Sequence, residues 1–566
     1  MHSLRIKSLI PLHHLLTSRH FSAPSIFSQI PSLSKIPSRQ RKSAVLQAQQ
    51  ALSDYLHTTR CLSFTYAENI SKNSLYSLSN LISKVSYTQS DFGNDFKRFL
   101  RYHPLNEFEF FFESIGIPMS EIDKFLPIGD FFLSDEGSNL NVAHALTTFG
   151  FPWNMLGKLY VEESSIFGKS SEDLISRVNG FVSKGFDTCS AVGICLAFPC
   201  LLSGNDEIDA LFECLRMIFI DCNLKSKVEG NVDASYEFGR KIRFFVNLGC
   251  DKNEVGELIG KNLHVFFECS EKALQQKFSF FQRLDGKGED IGMLLLRYPE
   301  ILSYDLENRM FSLVSFLKQF GMTELELNDI VLKYPYVMGK NRLENLPHSM
   351  KALNLHEWFF HKIINGNHHL LADFDIGIPD EDLELEYRSW REKIQNMKNY
   401  KHAKSKLSFL LGIGFGENLI TIKAFQGLHG TGSELQERFN YLLELGIEFS
   451  KLCKIINMHP KALNQAPEIL EDKIDFLCNE IGSSVDYLEI FPGFLGFNLE
   501  NRIKPRYRIH KWLTEIGAAR EYSISSLVAT SENAFVDRLM RIHPTVMKQW
   551  LERFSSKEHC YKFEKR

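Results

Sequence analysis

The chain has 566 residues, 44% of them apolar and 24% charged, with a formal net charge of −4. That composition belongs to folded proteins rather than disordered ones, and the length exceeds what one compact core usually holds. The acidic balance excludes a protein basic over its whole surface, so any contact with a polyanion has to be local.

The chain opens on an acid-free stretch. Arg5, Lys7, Arg19, Lys35, Arg39, Arg41 and Lys42 precede Asp54, the first acidic residue, among many serines and short apolar patches. Basic, Ser-rich and acid-poor is the composition of an organelle transit peptide, not of a secretory signal. The run Ser18-Arg19-His20-Phe21-Ser22 resembles the cleavage signal of plant mitochondrial precursors, which places a transit peptide over 1–21, its boundary open to about 45, and favours mitochondrion over chloroplast. Cleavage after Phe21 would remove Arg5, Lys7 and Arg19 and leave 62 Lys+Arg against 69 Asp+Glu, a net of −7.

Residues 22–95 read as a poorly periodic leader. Beyond them glycines closing helix-like runs recur at 116, 150, 185, 249, 321, 412, 446, 482 and 517, mostly 34 to 36 residues apart. The 72-residue step from 249 to 321 is two periods, with a degenerate copy around Leu284. Prolines follow three of these glycines by fourteen residues, in the pairs Gly185 and Pro199, Gly321 and Pro335, Gly446 and Pro460. A fixed period in the thirties marks a stacked repeat array, here an all-α solenoid.

One unit shows the grammar. From Pro460, Leu470, Ile474, Leu477 and Ile481 form an apolar helical stripe, opened by Pro467 and Glu468 and closed by Gly482. From Pro299, Leu306, Met310, Leu313, Leu317 and Phe320 predict a long helix ending at Gly321, with Thr323 capping the next helix. N-terminal repeats are placed at 96–365, a charged insertion or degenerate repeat at 366–403, C-terminal repeats at 404–550 with a basic segment at 502–511, and a tail at 551–566. The phenylalanines of FEFFFESIG and KIRFFVNLG have the spacing of packing faces.

Units of this type, with His459-Pro460, Leu463, Lys473-Ile474-Asp475-Phe476-Leu477 and Gly482, and again Tyr298-Pro299 with Ile301-Leu302 and Phe316-Leu317, resemble the mitochondrial transcription termination factor (mTERF) family. FNLENRIKPRYRIHKWL is similar to a segment near the C-terminal end of plant members. The resemblance implies a superhelix of three-helix units whose basic groove binds nucleic acid. It implies a role in organellar gene expression: termination or regulation of transcription on double-stranded DNA, or splicing and maturation on RNA.

Arg502, Lys504, Arg506, Arg508 and Lys511, interleaved with Tyr507, His510 and Trp512, form the densest basic cluster. Such cations neutralise phosphates while aromatic faces can stack on bases. A solvated helix face with Trp512 in the core is the competing reading. Arg538, Arg541 and His543 extend the basic surface. Lys398, Lys401, His402, Lys404 and Lys406 read instead as a self-screened surface helix.

No uninterrupted apolar run reaches the roughly 18 residues of a membrane span. Cys189, Cys195 and Cys200 have no zinc-ligand spacing, and the eleven cysteines read as reduced thiols. Gly412-Ile413-Gly414-Phe415-Gly416 imitates part of a dinucleotide loop without the strand–helix–strand frame that chemistry needs. His368-His369 lacks a second ligand pair. The chain is therefore expected not to be an enzyme, to hold no cofactor or metal, to stay out of the membrane and to be a monomer. Its expected partner is organellar DNA or RNA; the reading from a different class is a helical scaffold for proteins of the expression machinery.

Overall fold

The computed structural model describes residues 36–542 apart from 38, 87–90, 135–136, 205–207, 229, 374–380 and 521. The expected transit peptide, His543 and the tail lie outside the described residues. The chain divides between Phe267 and Glu268 into two compact units.

The first unit is helical from Arg41 onward. Helices Arg41–Asp54, Phe64–Asn73 and Leu75–Ile82 occupy much of the stretch that looks aperiodic in sequence. Ala44, Ala48 and Ala51 are buried with Val45 and Leu52, against a helix Phe92–Tyr102 that contributes Phe92, Phe96 and Leu100. A stripe built mainly from alanine carries little large-apolar periodicity, which hides the helix from a pattern count. Phe110, Phe111, Phe112 and Phe245 are buried, as the packing spacing predicts.

In the second unit a longer helix, a turn and a shorter helix recur around Asp285, Gly414, Gly446, Gly482 and Gly517, whereas at Gly321 the shorter helix, Leu313–Gln319, comes before the longer, Glu324–Lys333. Thr323 caps helix Glu324–Lys333 in a reciprocal capping box with Glu326, and Thr431 does the same with Glu434 for helix Gly432–Glu444. Long helices end at a residue with positive φ. At Gly446 (φ +93°) the Ile447 N–H reaches back to Leu442 O at 3.2 Å and the Gly446 N–H to Leu443 O at 2.9 Å, the doubly bonded C-cap that only a left-handed residue allows. Asp285 (φ +61°) makes the degenerate copy, 36 residues after Gly249 and 36 before Gly321.

Buried and half-buried cations join consecutive helical elements. Lys473 is 1% exposed and donates to Leu495 O at 2.7 Å and to Gln465. Arg438 donates to Leu463 O at 3.0 Å, Lys406 to Leu428 O at 3.0 Å, and Lys277 to Tyr304 O. In the first unit Lys241 donates to Phe266 O at 2.9 Å. Each acceptor lies at or near the C-terminal end of a short helix or 3-10 turn, where carbonyls lack partners and the backbone dipole is negative. A charged donor at such a site contributes about 1.5–3 kcal/mol. Lys241, Lys277, Lys406 and Arg438 each stand eight residues before the positive-φ residue. Lys473 stands nine before Gly482, the π-helical turn Phe476–Glu480 supplying the extra residue.

Two local expectations are corrected. Met310–Ser312 is not helical but a strand paired antiparallel with Lys340–Arg342, and the helix begins only at Leu313. The repeat's turn glycine is Gly414 (φ +101°), not Gly412, which is the last residue of helix Tyr400–Gly412. The other glycines here allow two chain segments to cross. The Gly416 N–H donates to Tyr336 O at 2.9 Å, and a Cβ at Gly416 would lie 2.2 Å from Met338 O. Asn418 clamps the crossing through Nδ2 to Tyr336 O at 3.0 Å and Met338 O at 2.6 Å. The dinucleotide-like glycine run is thus a packing device. Gly416→Ala is expected to cost about 2 kcal/mol through this backbone collision. Gly412→Ala, where a Cβ meets nothing within 4 Å, should leave stability level or slightly raised. Thermal denaturation of the two variants checks the contrast.

Candidate nucleic-acid interface

The basic segment begins in a π-helical turn, Leu499–Ile503, and runs into helix Lys504–Glu515, with Pro505 in its first turn. Leu499, Ile503, Arg506, Ile509 and Leu513 are its buried residues, at steps of four, three, three and four. Arg506 therefore occupies a core register. It is 2% exposed and donates to the carbonyls of Leu527 (3.0 Å), Val528 (3.3 Å) and Thr530 (2.6 Å), pairs with Glu532 at 2.5 Å, and lies over the Phe535 ring. Arg502, half-buried, joins it: its Nε donates to Val528 O at 2.9 Å and its Nη2 to Thr530 O at 2.9 Å. Burial, then the neighbouring Arg506 charge, lowers the Arg502 pKa. Together the two arginines close the carbonyl end of helix Ile524–Ala529, as the lysines do in earlier repeats.

The remaining cations of the segment do not share this role. Lys504 pairs with Glu500 across one helical turn. Arg508, about half exposed, has only a long contact to Glu480 at 3.4 Å, and Lys511 is exposed. Arg541 is exposed on helix Glu532–Ile542. Arg538 lies 4.8 Å over the Tyr522 ring, with a buried Nη1 that has no hydrogen-bond partner. The structure thus brings Arg502 and Arg506 together inside and leaves Arg508, Lys511 and Arg541 accessible.

The interleaved aromatics are packed rather than open. Trp512 lies against the cluster of Ile509, Leu513, Leu527, Phe535 and Leu539. Tyr507 meets Phe476 edge-on and donates to Glu480 O at 3.2 Å; the His510 Nε2 accepts from the Tyr522 N–H at 3.2 Å. In the second lysine group Lys401, His402 and Lys404 are exposed on helix Tyr400–Gly412, and Lys398 is exposed just before it. Lys406 turns inward over the Phe425 ring at 3.9 Å, where burial lowers its pKa.

Earlier in the second unit is a basic cleft that no motif marks. It has a volume of about 340 Å³ and its polar lining is Arg283, His348, Lys351, Gln436 and Asn440. Burial, then the charges of Arg283 and Lys351, pushes the His348 pKa down to about 4. The signal available in sequence was weak, since these residues come from three segments up to 157 positions apart.

His368 pairs with Glu300 at 2.8 Å and stacks on Tyr298. Among the described residues no group of three or more His, Cys, Asp or Glu stands close enough to hold a metal ion. No described helix is long and apolar enough to cross a membrane.

The mTERF family model matches residues 103–365 and 398–536. Transcription termination factor MTEF18, mitochondrial, from Arabidopsis thaliana is 48% identical over 529 residues, covering 93% of this chain and 95% of its own. Transcription termination factor MTERF8, chloroplastic, from the same plant is 25% identical over 51% of this chain and 61% of its own length. The mitochondrial location expected from the leader agrees with the name of the 48% relative.

Proposed function

Because the chain belongs to the mTERF family, we propose that it regulates mitochondrial gene expression by binding double-stranded organellar DNA, acting in termination or regulation of transcription. The observation that carries this reading is the similarity along nearly the whole chain to a relative named a mitochondrial transcription termination factor. The accessible Arg508, Lys511 and Arg541 support it as local phosphate contacts on an otherwise acidic protein.

Electrophoretic mobility shift with mitochondrial duplex DNA and with matching RNA tests the proposal. Duplex affinity should fall steeply with salt, and Arg508→Glu with Lys511→Glu should weaken it roughly 10- to 100-fold and flatten the salt dependence by about two phosphate contacts. The variant's unfolding curve should stay that of the parent, because both side chains are exposed. Preference for RNA would move the function to splicing or transcript maturation. Absence of binding to either nucleic acid would sink the proposal.

A further inference from the structure

We propose that the cleft around Arg283 seats a backbone phosphate of bound nucleic acid; this rests on the reading above and adds a second contact region remote in sequence from the C-terminal cations. Arg283 caps helix Glu271–Gln282, and its Nε donates to Ser279 O at 3.3 Å. Its Nη atoms have neither hydrogen bond nor ion pair among the described residues, although burial lowers its pKa against the raising charges of Glu344 and Glu307. The guanidinium stands 5.8 Å from the Phe280 ring centroid and its Nη atoms are not buried without a partner, so they are open to an anion in place of water.

The surroundings suit a phosphodiester. The 340 Å³ cleft has no carboxylate in its lining. Lys351, at its edge, is oriented by Asp285 at 2.6 Å, outside the lining. Gln436 donates to the Asn440 Oδ1 at 2.8 Å, which leaves the Asn440 Nδ2 available as a donor. The buried Nδ1 of His348 has no partner, and its ring is held parallel to Phe449. On its other side Arg283 borders a cleft of about 230 Å³ that includes Lys272 and Lys277, with Glu307 and Glu344. A planar guanidinium fork, a second cation held by Asp285 and an amide donor, with Glu307 and Glu344 in the adjoining cleft rather than in this one, are the chemistry that recognises phosphate oxygens.

The test uses the full chain and a fluorescein-labelled mitochondrial duplex, with anisotropy recorded across a potassium chloride series. Arg283→Gln is expected to weaken binding roughly tenfold and to lower the slope of log K against log salt by about 0.9. Asn440→Asp, an exposed change that places a negative charge in the cleft, should weaken binding similarly with an unchanged melting curve. Should Arg283→Gln fail to fold, Asn440→Asp alone decides. Parent-like affinity and slope in a variant, while the parent binds, would overturn the seat and leave the family reading standing. Loss of affinity without a change of slope in Arg283→Gln would assign Arg283 a structural role and overturn it too. Arg283-dependent binding of inorganic phosphate or polyglutamate, with nucleic-acid binding independent of Arg283, would give the site to a free anion or an acidic protein. A parent chain that binds no nucleic acid would remove both readings.

Discussion

Arg506→Ala is expected to destabilise the C-terminal end of the chain by about 3–5 kcal/mol, while Arg508→Ala, two residues along, should change stability by no more than about 0.5 kcal/mol. The difference comes from direction. Two residues turn a helix by about 200°, so Arg506 projects inward to three carbonyls and Glu532 while Arg508 projects outward. Truncating Arg506 leaves Leu527 O without its charged donor, leaves Val528 O and Thr530 O to Arg502 alone, and opens a void beside Phe535. Arg506→Lys keeps the charge but cannot reproduce the forked contact, and should recover only part of the loss. Hydrogen exchange over residues 524–542 is the direct measurement. Retained protection there in Arg506→Ala would show that the carbonyl contacts do not hold the terminal helices. A survey of binding alone would otherwise mistake Arg506 for a phosphate contact, since unfolding its neighbourhood disturbs Arg508 and Lys511 as well.

Acid should destabilise the second unit through His348. Its pKa is pushed down to about 4 by burial and then by the Arg283 and Lys351 charges, against an ordinary value of 6.5. Between those values the unfolded chain takes up a proton that the folded ring refuses. Unfolding then gains protons, so stability rises with pH across this window and is level above it. The full swing is about 3 kcal/mol, lost progressively from pH 6.5 down to pH 4. His348→Gln removes the titrating group, and its unfolding free energy should fall less over the same range. Equal pH slopes for parent and variant, measured by urea titration at several pH values, would refute the assignment. The effect is separate from phosphate binding, because it requires no ligand.

Much of the architecture was readable from single residues. Gly446, Gly482 and Gly321 marked turns because a left-handed conformation is a property of the residue itself. Pro467 and Thr323 marked helix starts for equally local reasons, a missing N–H and a capping hydroxyl. Even the inward-turned cations left a trace. A basic residue eight positions before the turn is a regular feature, and Arg506 sits in line with Ile503, Ile509 and Leu513. In sequence, however, a cation in an apolar register looks the same as one that snorkels to water.

The candidate interface was less legible. Arg502, Lys504, Arg506, Arg508 and Lys511 form one basic run in the sequence, yet they divide between carbonyl capping, a local ion pair and exposed charge. The Arg283 cleft collects side chains from segments that no short motif spans.

Period, helix punctuation and family grammar were therefore set by local backbone preference and could be read along the chain. Which charges face inward, why Met310–Ser312 is extended and why Gly416 cannot carry a side chain depended on partners 20 to 80 residues away. Carbonyl ends, a pairing strand and a crossing backbone exist as neighbours only after the helices have packed, and that packing decided between alternatives the one-dimensional pattern left equal.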